Sequence, residues 1–427
     1  MATHSKQKKV KGGRQKLKLF RSNEPLKSVL MWGVNYSLTQ MNHVKPRAVL
    51  LNDDFKASLK VKVHNQFFNK ENMPSRYKFK EYCPMVFQNL RKRFNINTID
   101  YLHAFTKKQP QWGPDKRYFV TYDNRFVVEL INSEDVEQVH NYLEAYHEYI
   151  VNTHGNTLLP RCLAMYRLIV SDQIYYMLVT KNTFSPRLSI FKKYQLKGCT
   201  VDREASNKEK AKPQPTFKDL DFTNDGCRIE IGQEEKTRFM NMLQNDIDFL
   251  QTNNMMSYSL LVGIHDPLMM DKVDKTPSDE ECAFSPGEDD DTVNGGTDDV
   301  VDSAGHESEG ANVTSDSEAP GMFQSTLKQG DNACLSPPDS PGFIPNPYPQ
   351  FTGDLDPDME LFGIKSSKNA NTIYFLGVVN IFTKYGMKKR TAQTYKSVRH
   401  GHNAEISSVR PELYAKRFIE FVNMAIE

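Results

Sequence analysis

The stretch RYFVTYDNRFVVEL, residues 117–130, carries the clearest local structure signal in the chain. It contains two short runs rich in aromatic and β-branched residues, 117–122 and 125–130, which strands favour. Asp123 and Asn124 join the runs, and both tolerate the left-handed backbone that a tight turn requires. The stretch is therefore predicted to form a β-hairpin.

A helix is predicted directly after this hairpin. Asn132 and Ser133 can cap its first turn, and Gly155 can end it. Apolar residues recur between them at the spacing of one helical face, namely Val136, Val139, Leu143, Tyr146 and Ile150. Such a face is typical of a helix packed on a core.

Similar patterns extend to both sides of the hairpin and helix. Further helical patterns are found at 26–30, 86–94, 234–250 and from residue 411. Further strand-like runs are found at 164–170, 173–180, 258–264 and 372–382. The mixture predicts an α+β fold.

Charge is distributed in blocks, although the net charge is only +2. Residues 6–21 are basic and contain no acid, which indicates either a solvated tail or attraction to an anionic membrane. Residues 267–347 are rich in Asp, Glu, Ser, Gly and Pro, which predicts a disordered insert. The predicted organisation is a basic tail at 1–24, an N-terminal lobe at 25–184 and a C-terminal lobe at 185–266 and 349–427, with the insert at 267–348.

The chain is predicted to be cytoplasmic. No apolar run approaches the roughly 20 residues needed to cross a bilayer, and the first residues are polar and basic rather than those of a secretory signal. The six cysteines are scattered without a CxxC pair, so free thiols are expected and a zinc site is not. No nucleic-acid recognition motif accompanies the basic residues, so nucleic acid is not an expected partner.

Several stretches identify a family. They are FNKENMPSRYKFKEYCPMVF (68–87), HGNTLLP (154–160), REASNKEKAK (203–212), SYSLLVGIHD (257–266), SPPDSPG (336–342) and AEISSVRPELYAKRF (404–418). Together they resemble the type II phosphatidylinositol phosphate kinases, the phosphatidylinositol 5-phosphate 4-kinases. Ala392 supports type II, because type I enzymes carry glutamate there.

The resemblance implies a fold and a surface. The expected fold has two lobes with antiparallel sheets, related to SAICAR synthase and to protein kinases, and it closes over a nucleotide. Relatives pair through their N-terminal lobes and place a flat basic face against the membrane. A homodimer, or a heterodimer with an active relative, is therefore expected.

The resemblance also implies ATP and Mg²⁺ as cofactors, but the positions that would handle them are altered. Glu129 stands where relatives carry a lysine that pairs with phosphate, which exchanges attraction for repulsion. Ser257 and Asn380 replace the aspartates expected to orient the lipid hydroxyl and to hold magnesium, and Asn380 offers only a weak neutral ligand. In the motif that reads QLKGC here, Gln195 also replaces an aspartate, while Lys197 is retained.

The remaining site residues are predicted in two groups. The nucleotide is expected to contact Lys116, beside the altered phosphate loop at Gly113-Pro114, and the hinge residues Asn182 and Phe184. The lipid is expected to contact Arg203, Lys208, Lys218, Ala392 and Lys396.

The functional prediction is a catalytically impaired lipid-kinase homologue, peripheral on phosphoinositide-bearing membranes, that serves as a scaffold or regulator. One alternative is an active 4-kinase that makes phosphatidylinositol 4,5-bisphosphate with a rearranged site, in which Lys116 or Lys181 replaces the missing lysine. Another is a nucleotide sensor that transfers no phosphate. A nuclear location is the alternative to the cytoplasm.

Overall fold

The computed structural model describes most of the chain outside its charged blocks. The described residues are 22, 24–45, 47, 49–65, 73–114, 116–269, 362–386, 405 and 407–427. All of them belong to one compact unit formed by 1–275 and 346–427. The basic tail at 1–24 and the insert at 267–348 lie almost entirely outside them, so both remain predictions, as do the lobe boundaries.

Helices and strands alternate irregularly along the described residues. The helices are α1 Pro25–Asn42, α2 Pro84–Arg93, α3 Thr98–Thr106, α4 Ser133–Asn152, α5 Asn207–Lys210, α6 Asp219–Asn224, α7 Gln233–Thr252 and α8 Pro411–Ala425. The strands are β1 Ser58–His64, β2 Arg76–Tyr82, β3 Gln111–Trp112, β4 Tyr118–Val120, β5 Phe126–Ile131, β6 Cys162–Val170, β7 Gln173–Lys181, β8 Lys192–Leu196, β9 Thr216–Phe217, β10 Ser259–His265, β11 Gly363–Lys365 and β12 Ile373–Val379. The predicted α+β class is confirmed.

The first sheet is antiparallel and has seven strands in the order β1-β2-β6-β7-β5-β4-β3. The predicted hairpin forms its β4–β5 pair, and Asn124 at the turn has the expected left-handed backbone, with φ 57°. Two left-handed residues, Ser171 and Asp172, make the tight turn between β6 and β7. The buried side of the sheet packs against α1 and α2.

Helix α4 follows the hairpin as the sequence predicts. Asn132 accepts a hydrogen bond from the Asp135 amide, and the Asp135 carboxylate accepts one from the Asn132 amide, which completes a capping box. Gly155 lies three residues past the helix with φ 77°, and its amide donates to the Ile150 carbonyl. The apolar stripe of the helix is buried.

The second sheet has five strands in the order β11-β12-β10-β8-β9. All its neighbours are antiparallel except β8 and β9, which run parallel. The central pair is β10 with β12, in which Ser259 lies opposite Val379 and His265 opposite Ile373. Helix α8 packs on α7.

A buried carboxylate connects α4 and the segment after it with α7. Asp246 of α7 accepts hydrogen bonds from the Tyr149 and Thr157 hydroxyls at 2.6 Å each, and from the Leu158 amide at 2.7 Å. The Leu158 carbonyl in turn accepts from the Val378 amide of β12 at 2.8 Å. Burial raises the pKa of Asp246 to about 6, although these donors act in the opposite direction.

Within the described residues, every helix is either too short or too polar to span a bilayer. Cys83, Cys162, Cys199 and Cys227 are free thiols, as the scattered spacing of the cysteines predicts.

Candidate functional site

Ser257 and Asn380 meet at one end of the second sheet. Ser257 lies two residues before Ser259 on β10, and Asn380 directly follows Val379 on β12. Because these strands are antiparallel and Ser259 faces Val379, both residues emerge at the same end. Their backbones are both left-handed, with φ 61° at each. The structure therefore brings together two of the predicted catalytic positions.

The neighbouring strand β8 adds two more polar side chains to this sheet end. Gln195 lies opposite Leu261 of β10, and its amide nitrogen lies 3.3 Å from the Ser259 hydroxyl. Two residues later, the Lys197 ammonium donates to the Ser257 hydroxyl at 2.9 Å. Gln195, Lys197, Ser257 and Asn380 are called the polar sheet end below.

Asp219 holds the backbone at the end of β8 through hydrogen bonds. One of its carboxylate oxygens accepts from the amides of Lys197 at 2.7 Å and Gly198 at 2.8 Å. The other accepts from Arg203 Nε at 2.6 Å. A carboxylate that is 2 % exposed and fully bonded in this way fixes where the Lys197 side chain starts. Asp219 was not predicted, because nothing in the local sequence TFKDLDFT, residues 216–223, distinguishes it from its neighbour Asp221.

Arg203 requires a correction. Arg203 is predicted to contact lipid, but its guanidinium is buried, pairs with Asp219 and donates to the Gln195 carbonyl at 2.5 Å. A cation committed to two internal acceptors cannot also face a membrane surface. Arg203 supports the polar sheet end instead.

Glu129 lies on the first sheet, on strand β5 between Tyr118 of β4 and Leu178 of β7. Its side chain is exposed. Burial raises the pKa of the Cys162 thiol to about 12, the hydrogen bond with Tyr146 acts to lower it, and the Glu129 charge adds a smaller rise. An acidic group therefore occupies the strand position where the resemblance implies a lysine.

The altered phosphate loop connects β3 to β4. The Gly113 amide donates to the Tyr118 carbonyl at 2.9 Å, and the Lys116 amide donates to the Gly113 carbonyl at 3.1 Å. A Cβ atom at position 113 would lie 2.3 Å from the Tyr118 ring, so a larger residue there would require that ring to move. Lys116 is exposed and left-handed, with φ 56°. Its contact with nucleotide remains a prediction.

The hinge residues have structural partners on both sides. The Asn182 side chain donates to the Asn124 carbonyl of the hairpin turn at 2.8 Å and accepts from the Phe184 amide at 3.1 Å. The Phe184 ring lies over Gly263 of β10, where an added Cβ would approach it to 2.4 Å. The hinge thereby connects the hairpin to the second sheet, and its role in binding a nucleotide base remains a prediction.

The polar sheet end does not suit magnesium. Mg²⁺ prefers carboxylate, phosphate and water oxygens in a near-octahedral shell. The donors here are an amide at Asn380, a hydroxyl at Ser257 and a repelling ammonium at Lys197. Nowhere in the described ranges do three His, Cys, Asp or Glu side chains gather into a metal-binding group.

A basic face covers one side of the first sheet. On β1 and β2 every second residue is basic and the residues between them pack inward, and the register places Lys60 opposite Lys80 and Lys62 opposite Lys78. Its members are Lys60, Lys62, His64, Arg76, Lys78, Lys80 and Arg167. The pKa of Lys80 is lowered, first by burial and then by the positive charges of Arg167 and Lys60. The like charges of this face therefore repel one another. None of these residues was predicted to belong to a basic face, although the alternation in KVKVH (60–64) and RYKFK (76–80) was the signal for it.

The other predicted lipid residues are dispersed. Lys208 is exposed on α5, and Lys218 is partly buried just before α6. Ala392 and Lys396 lie outside the described residues. Their contacts with lipid therefore remain predictions.

Comparison with known proteins places the chain in a family. Residues 114–425 match the family described as phosphatidylinositol-4-phosphate 5-kinase. The chain is 45 % identical to the chicken phosphatidylinositol 5-phosphate 4-kinase type-2 alpha, over 99 % of this chain and 96 % of the relative. It is 44 % identical to the human type-2 beta kinase, over 96 % and 92 %, and 44 % identical to the human type-2 alpha kinase, over 99 % and 96 %. The chain therefore belongs to the phosphatidylinositol phosphate kinases, with the type II 5-phosphate 4-kinases as its similar relatives.

Proposed function

We propose that the chain is a catalytically impaired member of this family, which docks on anionic membrane and acts there as a scaffold or regulator. The observation that carries the proposal is the chemistry of the polar sheet end. Ser257 and Asn380 lie together at this sheet end, where the resemblance implies two carboxylates. They provide a hydroxyl and an amide instead. Phosphoryl transfer requires groups that hold metal and orient the nucleophile, and neither residue supplies them.

Glu129 supports the same conclusion from the other sheet. Its exposed carboxylate occupies the strand position of the expected phosphate-binding lysine. A negative side chain there repels phosphate oxygens rather than neutralising them. The three changes affect three separate requirements of the reaction, so a single compensating cation does not repair the site.

The basic face supports the membrane part of the proposal. Cations placed directly opposite one another destabilise a sheet, so their concentration on one side favours a role in binding an anionic surface. Each lysine or arginine near a negative leaflet contributes about 1 kcal/mol of attraction. Ile174, which is 53 % exposed at the turn beside Ile169, adds apolar area next to the cations.

Dimerisation through the N-terminal lobe is part of the proposal. Strand β1 is an edge strand of the first sheet, and it leaves one row of backbone donors and acceptors without a described strand partner. An edge of this kind is suited to pairing with another chain. The same edge could serve a second copy or an active relative.

The alternative is an active 4-kinase with a rearranged site. The high identity to named 4-kinases favours it, together with the exposed position of Lys116 on the phosphate loop. It requires Lys116 to neutralise phosphate in place of a residue on β5.

The deciding experiment is a lipid phosphorylation assay. Purified full-length protein is incubated with labelled ATP, Mg²⁺ and vesicles containing phosphatidylinositol 5-phosphate, beside a type II relative as positive control. Background incorporation, together with binding to the same vesicles, is expected. Turnover near that of the relative, lost in Lys116→Ala and retained in Lys416→Ala, would establish the alternative.

A further inference from the structure

The polar sheet end has neutral side chains where the resemblance implies acids, and the Lys197 cation lies next to them. The Lys197 ammonium lies 2.9 Å from the Ser257 hydroxyl. A site with this charge repels a divalent cation but attracts an anion. We infer that the polar sheet end binds a phosphate-bearing anion without a divalent metal ion, and that Lys197 supplies the positive charge which metal would otherwise bring.

Lys197 is positioned for this role by residues behind it. Its amide and that of Gly198 donate to Asp219, whose other oxygen is held by Arg203. Gly198 is left-handed, with φ 65°, and an added Cβ would lie 3.1 Å from the Arg417 carbonyl. The backbone that carries Lys197 is therefore fixed before any ligand arrives, which reduces the entropy lost on binding.

The neutral neighbours suit the same ligand. A serine hydroxyl and the amide groups of Asn380 and Gln195 can donate hydrogen bonds to phosphate oxygens, whereas aspartates at these positions would repel phosphate unless a metal ion lay between them. The ligand class is a phosphate monoester or phosphoanhydride, from a nucleotide or from an inositol headgroup. The inference deepens the proposed function, and rests on it in that the bound anion is not a substrate for transfer.

Thermal unfolding of the full-length protein tests the inference. The probes are ATP, soluble inositol 1,4,5-trisphosphate and inorganic phosphate, each with excess EDTA and with Mg²⁺. At least one probe is expected to raise Tm equally in both conditions, since a ligand that binds only the folded state stabilises it. ATP and the inositol phosphate arms separate the two sources of phosphate. The inference is overturned if stabilisation requires Mg²⁺, or if no probe raises Tm.

Two variants test the assigned residue. Lys197→Met is expected to weaken binding of the stabilising probe by about tenfold to a hundredfold, which is the usual loss for a charged hydrogen bond. Lys416→Met, which removes a lysine that is 74 % exposed on α8, is the matched control and is expected to change nothing. Unchanged affinity of folded Lys197→Met contradicts the assignment.

A double variant that keeps Lys197 guards against misfolding of the first. Ser257→Asp combined with Asn380→Asp is expected to lose binding in EDTA and to regain it with Mg²⁺, because restored acids repel phosphate until metal is present. Unchanged binding in EDTA contradicts the inference. Lipid turnover by the wild type would remove the proposed function, whereas strictly metal-dependent binding without turnover would remove only the inference made here.

Discussion

The two sheets differ in how they use charge. The first sheet places cations directly opposite one another on its basic face, although such pairs destabilise antiparallel strands. The second sheet has an amide, Asn380, and a hydroxyl, Ser257, at the end where relatives are expected to carry acids, and the Lys197 ammonium donates to that hydroxyl. The unfavourable charge on the first sheet supports the proposed membrane-binding surface, and the missing acids of the second sheet support the proposed loss of metal-dependent chemistry.

The largest expected effect comes from the support of the second sheet. Asp219→Ala leaves Arg203 as a buried cation and leaves the Lys197 and Gly198 amides without their acceptor. Breaking a buried ion pair in this way costs about 3–5 kcal/mol of unfolding free energy. Urea unfolding followed by circular dichroism measures this loss.

A matched control for Asp219→Ala is Glu234→Ala on α7. Glu234 is 89 % exposed in a long contact with Arg238, so its removal should change stability by less than about 0.5 kcal/mol. If both variants lose the same small amount, Asp219 does not support the sheet end as described.

The first sheet is tested by removing its cations. Lys60→Gln, Lys62→Gln and Lys78→Gln together remove about 3 kcal/mol of attraction to an anionic leaflet, which is about a hundredfold in partitioning. Unfolding free energy should stay the same or rise slightly, because like-charge pairs are relieved. Sedimentation with vesicles containing anionic lipid at moderate salt measures the first effect, and urea unfolding the second.

The control for the basic face removes equal charge elsewhere. It substitutes glutamine for three exposed helix-associated lysines, Lys92, Lys107 and Lys416. Equal loss of vesicle binding in both triple variants would mean that net charge, not the basic face, determines attraction.

Asp246 gives a smaller, pH-dependent effect at the connection to the second sheet. Its folded pKa of about 6 exceeds the ordinary value of 3.8, so the folded state binds a proton that the unfolded state lacks between these values. Stability is therefore lost as pH rises through 6, and it should increase by about 1 kcal/mol when pH falls from 7 to 5. Comparing wild type with Asp246→Asn at each pH isolates this contribution, because asparagine keeps an acceptor but cannot titrate. A wild-type difference no larger than that of the variant contradicts the assignment.

The elements that could be predicted from the sequence are those that local residue patterns determine. The hairpin at 117–130 and the cap at Asn132 follow from local chemistry, and both formed as expected. The grouping of Ser257 with Asn380 followed from a resemblance, but the Lys197 contact did not, because it depends on the register of β8 against β10. Arg203 was misplaced for a similar reason: its burial depends on Asp219, 16 residues away, which no local pattern identifies.

The smallest expected effect belongs to the residue that first suggested lost activity. Glu129→Lys exchanges one exposed side chain for another on β5, so stability should change by less than about 0.5 kcal/mol. Lipid phosphorylation should stay at background, because Ser257 and Asn380 still provide no metal-holding acid. The same assay on Glu129→Lys combined with Ser257→Asp and Asn380→Asp is expected to show turnover that neither change gives alone, since groups that act as a unit are not additive. Turnover in Glu129→Lys by itself would mean that the second sheet can support phosphate transfer without the two acids. The missing lysine at position 129 would then be the single cause of the lost activity.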